Sequence, residues 1–382
     1  MPDISQKTAL MLPGGGARGA YQVGVLKGIA EICGLDQCAS NPFPIITGTS
    51  AGAINAVVLA THAHEFAYGV ERLDMFWSHL HCNNVYRTDA LTVLKTGLRA
   101  TAALLFGRFG LTAPKSLLDN TPLALLLRNA LRLDNIPKAI KAKSLHAVAV
   151  TASSYTTAIA ETFFQGSSGL HEWQRYRRVG HRAKITPEHI LASAALPFLF
   201  PAQRIGNQYY GDGGLRLLAP LSPAIHLGAD KILIIGTRDE SPIRAPEKPV
   251  SYPSMGELAG YMLDTIFMDT LWSDLSRLQR INRTLALLPE DQRKKSRLRP
   301  IQTLVIKPSQ DVREITRQHA NAIPRPVRNL LKVIGGWGKD WRMPSYLLFE
   351  PPYIRELIAL GRADARTQAK NIKEFLSSQP GL

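Results

Sequence analysis

The pentapeptide Gly48-Thr49-Ser50-Ala51-Gly52 sets one serine between glycines, directly after the short apolar run Pro44 to Thr47 and before Ala53 to Ala63, a stretch rich in helix formers. A G-x-S-x-G element in a strand-to-helix turn is the pattern of a nucleophile elbow, with the serine Oγ projecting above the helix N-terminus. Such a turn needs strained backbone angles and a close helix-to-strand approach, so glycine suits positions 48 and 52. The Ala51 N–H would then donate to a developing oxyanion. Ordinary glycine-flanked turns carry the same pattern, which takes its meaning from its neighbours.

A serine hydroxyl is a poor nucleophile until a base removes its proton. One candidate base is Asp212, in Tyr209-Tyr210-Gly211-Asp212-Gly213-Gly214-Leu215, where three glycines permit a tight loop that carries the carboxylate close to another backbone. A D-G turn closing a hairpin is the alternative reading. His226 and His319 follow Ser50 in the order of a Ser-Asp-His triad. Neither has a local signature, and His226 reads as a helix-surface or core histidine.

Upstream, Gly14-Gly15-Gly16-Ala17-Arg18-Gly19 leaves the apolar run Lys7 to Leu12 and enters a helix. A row of backbone N–H groups at a helix N-terminus binds anions, and Gly14, Gly15 and Gly16 can thereby supply oxyanion donors. The same residues satisfy the G-x-G-x-x-G dinucleotide fingerprint, which requires an acidic residue about 20 positions on. Asp36 has the distance, but polar residues surround it and the next strand begins only at Pro44. A nucleotide-binding protein built on this loop is the alternative function.

The elements that must hold these residues alternate. Short apolar runs at residues 7–12, 44–47, 146–151, 159–165 and 231–236 read as strands, and Tyr21 to Ile32 and Ala53 to Ala63 as helices, with Gly34 a C-terminal cap. The alternation predicts an α/β fold, a three-layer α/β/α core around a mostly parallel sheet. Residues 66–140 read as an inserted helical cap within a catalytic domain spanning 8–240, and residues 241–382 as a mostly helical C-terminal extension. Within the extension, Leu258, Met262, Ile266, Leu271, Leu275, Leu278 and Ile281 fall on or near one helical stripe. Val305 marks a brief apolar return, and a last helix is expected near 354–376.

Taken together, these motifs resemble the patatin-like phospholipase family, whose members use a Ser–Asp dyad on a three-layer α/β core. Its glycine-rich loop G-G-G-x-R-G is similar to Gly14 to Gly19, its elbow to Gly48 to Gly52, and its D-G-[GA] motif to Asp212-Gly213-Gly214. A fourth block, Ala192 to Pro201, resembles the family's A-S-x-A-x-P-x-x-F-P segment. Pro13 departs from the polar residue that many members carry ahead of the glycines. The resemblance covers about residues 8–240. It implies Ser50 as nucleophile, Asp212 as proton acceptor, oxyanion donors from Gly14 to Gly16, no metal, no cofactor and no catalytic histidine. Arg18 matches the invariant part of the loop, which favours pinning the loop over binding a lipid phosphate.

The implied substrate is a phospholipid, lysophospholipid or other acyl ester. A surplus of 46 Lys and Arg over 30 Asp and Glu, net +16, favours a polyanionic partner, and for a lipid hydrolase an anionic membrane surface fits. Nucleic acid is not expected, because the basic run Arg293 to Arg299 lacks interleaved aromatics. Between Leu91 and Leu133, Lys95, Arg99, Arg108, Lys115, Arg128 and Arg132 among many Leu and Ala suit a lipid-touching cap and equally a plain helical core, and Trp272, Trp337 and Trp341 suit interfacial anchors or core. The N-terminus shows no signal peptide and the chain no membrane-spanning run. Cys33, Cys38 and Cys82 lack metal-site spacing. A cytoplasmic protein, peripherally membrane-associated, is the expectation.

Overall fold

The computed structural model describes residues 6–34, 41–93, 116–239, 252–296 and 298–377. Ten strands form one sheet: β1 (Thr8–Leu12), β2 (Ile45–Thr49), β3 (Ala147–Ser154), β4 (Ala160–Gly166), β5 (Trp173–Arg175), β6 (Arg178–Arg182), β7 (Gln203–Ile205), β8 (Gln208–Asp212), β9 (Lys231–Ile235) and β10 (Gln302–Ile306). The helices that bear on the site are α1 (Ala20–Ile32), α2 (Ala51–Thr61), α3 (Phe66–Ser78), α4 (Thr121–Ala130), α5 (Pro187–Ser193), α6 (Met255–Asp264), α7 (Thr270–Leu287), α8 (Arg342–Leu347) and α9 (Pro351–Thr367).

The strand order is β10-β9-β1-β2-β3-β4-β6-β5. The first five of these strands run parallel, and β9, β1, β2 and β3 are buried throughout, as expected where helices cover both faces, while β10 at the sheet's end is only partly buried. β4 turns antiparallel to β3, and a β5–β6 hairpin closes that end. The mixed, mostly parallel sheet flanked by helices is the α/β core that the alternation predicts.

A second pairing on β3 sets the site. β2 lies along β3 only as far as Thr49 opposite Thr151. From there β8 runs antiparallel to β3, with Asp212 opposite Ala152 and Gly211 opposite Ser153. β4 occupies the other edge at the same residues, so β8 must continue on the edge that β2 has left. The two strands meet head to head, and Ser50 and Asp212 follow from the ends that meet.

Residues 241–382 are joined to this core. β10 extends the sheet beyond β9, and α9 packs on α1 so closely that a Cβ on Gly24 would lie 2.0 Å from the Ile358 carbonyl oxygen. Within 66–140 the described residues are helical or loop, and Lys95, Arg99, Arg108 and Lys115 lie outside the described residues, as does Cys38. Trp272, Trp337 and Trp341 are half-buried, the last two in edge contact at 5.3 Å. No helix among the described residues is long and apolar enough to cross a membrane.

The stripe expected over 258–281 is corrected in its first half. Leu258 and Met262 face solvent, whereas Gly256, Gly260 and Leu263 are buried. A π turn at Thr265–Asp269 interrupts the helix, and the wider turn shifts its register. Small residues on the buried side of α6 admit the backbone of Gly335 and Gly336 against Gly256. Beyond the turn, Leu271, Leu275 and Leu278 are buried as expected.

Candidate active site

Ser50 ends β2 and caps α2 with φ 56° and ψ −128°, a left-handed backbone that is strained for a non-glycine residue. The strain is held by buried contacts. The Ser50 N–H donates to Ser193 Oγ at 2.8 Å, and Ser193 Oγ donates in turn to the Thr151 carbonyl at 2.6 Å, so α5 fixes the elbow against β3. A Cβ on Gly52 would lie 2.0 Å from the Leu12 carbonyl oxygen, and one on Gly48 would strike the Gly52 carbonyl at 2.3 Å. Only glycine at both positions lets α2 start this close to β1. As first residue of α2, Ala51 has no intrahelical acceptor for its N–H.

Asp212 is fully buried. Its Oδ1 accepts from the Gly214 N–H at 2.9 Å, and Oδ2, also buried, has no hydrogen-bond partner among the described residues. Burial raises its pKa to about 7, while the Ser50 hydroxyl and then the Gly214 N–H pull it back in part. Ser50 thus lies close enough to act on the carboxyl without a well-aligned hydrogen bond in this resting geometry. A Cβ on Gly213 would lie 2.1 Å from the Thr151 carbonyl oxygen, and one on Gly214 would meet Ile266. Asp212 therefore ends a sheet strand, not a free hairpin turn.

The glycine loop lies against the elbow. A Cβ on Gly14 would come within 2.9 Å of Ser50 Cβ and 2.3 Å of the Phe267 ring, and Gly16 (φ +56°) abuts the Tyr346 carbonyl. Gly15 packs on Thr237, and Gly19 on Ala51. Phe267 and Tyr346 thus pack directly on the loop.

Arg18 is buried and turned away from Ser50. Its Nη1 donates to Asp264 Oδ1 at 3.0 Å and to Tyr346 Oη at 3.2 Å, Nε and Nη2 donate to Ser345 Oγ, and the guanidinium lies 4.0 Å from the centre of the Tyr346 ring. Asp264, held low by Arg18 in spite of burial, also accepts from Arg342 Nε at 3.0 Å. Side chains from α6 and α8 thus hold the loop through Arg18.

Beside Ser50 lies a cavity of about 30 Å³, walled by Ile54, Phe76, Trp77, Leu123, Leu196 and Phe349 among others. Its lining is almost wholly apolar. Both histidine candidates lie elsewhere. His226 stacks on Trp173 at 4.9 Å, its pKa lowered to about 4 by burial and by Arg175, Arg178 and Arg299. His319 pairs with Glu356 at 2.5 Å.

Sequence reasoning missed Ser193, Asp264, Ser345, Tyr346, Phe267 and Thr237. Ser193 alone carried a signal, its place in the block Ala192 to Pro201. Thr237 follows β9 and the others come from the C-terminal third, where no local pattern marks them.

A family model described as Patatin-like phospholipase matches residues 10–225. No curated protein sequence matches the chain. Among solved structures, VipD from Legionella pneumophila is similar with TM-score 0.31 and 12% identity, over 93% of this chain and 67% of that one. Human GIVD cytosolic phospholipase A2, solved with methyl gamma-linolenyl fluorophosphonate inhibitor and terbium chloride, is similar with TM-score 0.40 and 12% identity, over 97% of this chain and 59% of that one.

Proposed function

We propose, since the chain belongs to the patatin-like phospholipase family, that it is a serine acyl hydrolase cleaving carboxylic ester bonds of phospholipids or lysophospholipids through an acyl-Ser50 intermediate. The observation that carries the reading is the buried Asp212 carboxyl, with a pKa of about 7 and an unpartnered Oδ2, beside the strained Ser50. A carboxylate at this pKa is a competent base near neutral pH.

In the first half-reaction Asp212 takes the Ser50 Oγ proton as Oγ attacks the ester carbonyl carbon. The carbonyl oxygen becomes an oxyanion, held by backbone N–H groups of the Gly14 to Gly16 loop and Ala51. Collapse breaks the bond to the leaving alcohol, which receives the proton from Asp212. Water then gives a proton to Asp212 and attacks the acyl carbon, releasing the fatty acid and returning the proton to Ser50 Oγ. Transfer to an acceptor alcohol in place of water would make a lipid acyltransferase of the same dyad. The apolar side chains that line the cavity beside Ser50 suit contact with an acyl chain. The net charge of +16 suits approach to an anionic membrane surface.

The test is incubation with a fluorophosphonate probe followed by peptide mapping. A single adduct at Ser50, absent from Ser50→Ala, is the expected result. Labelling that persists in Ser50→Ala would remove the reading.

A further inference from the structure

Two buried side chains with no place in the dyad grip the glycine loop from behind. Gln22 Nε2, on α1, donates to the Pro13 carbonyl at 2.9 Å. Thr237 Oγ1, just past β9, donates to the Gly14 carbonyl at 2.8 Å. Both residues are essentially inaccessible to solvent. Gln22 is itself held, since its Oε1 accepts from Asn55 Nδ2 at 2.9 Å, and Asn55 Oδ1 accepts from Trp77 Nε1 at 2.7 Å. Trp77 is a wall of the cavity beside Ser50.

No peptide bond among the described residues is cis. In a trans peptide the C=O and the following N–H point in opposite directions across one rigid plane. Fixing the Pro13 carbonyl therefore fixes the Gly14 N–H away from Gln22, and fixing the Gly14 carbonyl fixes the Gly15 N–H away from Thr237. Neither N–H finds an acceptor among the described residues, although both glycines are buried. A buried N–H without a partner is rare and calls for one. A Cβ on Gly14 would lie 2.9 Å from Ser50 Cβ, so an acceptor that forms at Ser50 lies close to this glycine.

We infer that Gln22 and Thr237 are positioning residues that aim the Gly14 and Gly15 N–H groups at the oxyanion formed on Ser50. The assignment rests on the acyl hydrolase reading. It extends the machinery to a Trp77–Asn55–Gln22 relay on one side of the loop and a single hydroxyl on the other. Donors aimed in advance act chiefly on the transition state, so their loss lowers kcat and leaves KM nearly unchanged.

The experiment compares the full chain with Thr237→Val, Thr237→Ser and Gln22→Leu, by steady-state hydrolysis of a p-nitrophenyl ester and by the rate of fluorophosphonate inactivation. Thr237→Val keeps the shape and removes the donor. It is expected to lower kcat about tenfold to a hundredfold, less than the roughly hundredfold to thousandfold for outright loss of an oxyanion donor because the N–H is loosened and not removed, with KM within about twofold and inactivation slowed in parallel. Thr237→Ser restores the hydroxyl and is expected within about threefold of the wild type. Gln22→Leu should repeat the kcat loss if folded, and Thr237→Val carries the test if it is not. Wild-type kcat in Thr237→Val, or equal losses in the Val and Ser variants, would overturn the assignment. A wild-type chain in which Ser50 takes no phosphonate would instead remove the hydrolase reading beneath it.

Discussion

An aspartate in water loses its proton at about pH 3.9 and has little pull on a serine hydroxyl. Asp212 is placed where that weakness is offset: removal from water disfavours its charge, and only one of its oxygens is solvated by a backbone donor. The sign of the resulting pH dependence follows. The base form exists above the raised pKa, so kcat/KM should rise with pH through an apparent pKa of about 7. A rate profile between pH 4 and 9 checks this, and a limb centred near the ordinary aspartate value would mean that water reaches the carboxyl. The sequence marked Ser50 and Asp212, because glycines crowd both. It held no sign of how they meet, since the head-to-head abutment of β2 and β8 on one edge of β3 is a long-range pairing.

At the scale of elements, the strands and helices with strong local patterns lie where periodicity puts them: α1 with its Gly34 cap, α2 after the elbow, and β1, β2, β3, β4 and β9 on their apolar runs. The C-terminal third was less legible for a physical reason. Gln302 to Ile306 is too short to distinguish a strand from a helix turn by pattern alone, yet it extends the main sheet. The π turn at 265–269 moves the buried stripe and puts Phe267 over Gly14. Arg18 finds Asp264 across 246 positions of sequence. That ion pair predicts a large effect: Asp264→Ala leaves a buried guanidinium without its carboxylate, which should lower stability by about 3–5 kcal/mol. Urea denaturation measures it, and a loss comparable to a surface substitution would show the guanidinium to be compensated by Ser345 and Tyr346 alone.

For the whole molecule, a net charge of +16 acts beyond any one contact. If it serves approach to lipid, binding to vesicles containing anionic lipid should exceed binding to neutral ones and weaken as salt shortens the electrostatic reach, about 8 Å at physiological ionic strength. Vesicle co-sedimentation across a salt series reads this out, and equal binding to neutral vesicles would count against the electrostatic account. The fold itself brings the family's motifs to the C-terminal ends of β1, β2 and β8 in the middle of the sheet, where loop and elbow follow β1 and β2 and the aspartate ends β8, and places His226 and His319 in contacts of their own. The measurement that bears most directly on the central claim is therefore ester hydrolysis by Asp212→Asn beside Ser50→Ala, His226→Ala and His319→Ala, each checked for folding by circular dichroism. Asp212→Asn should fall with Ser50→Ala by about a thousandfold or more, because residues that act as one unit are not additive, while both histidine variants stay near wild type. A folded histidine variant as inactive as Asp212→Asn would contradict the dyad.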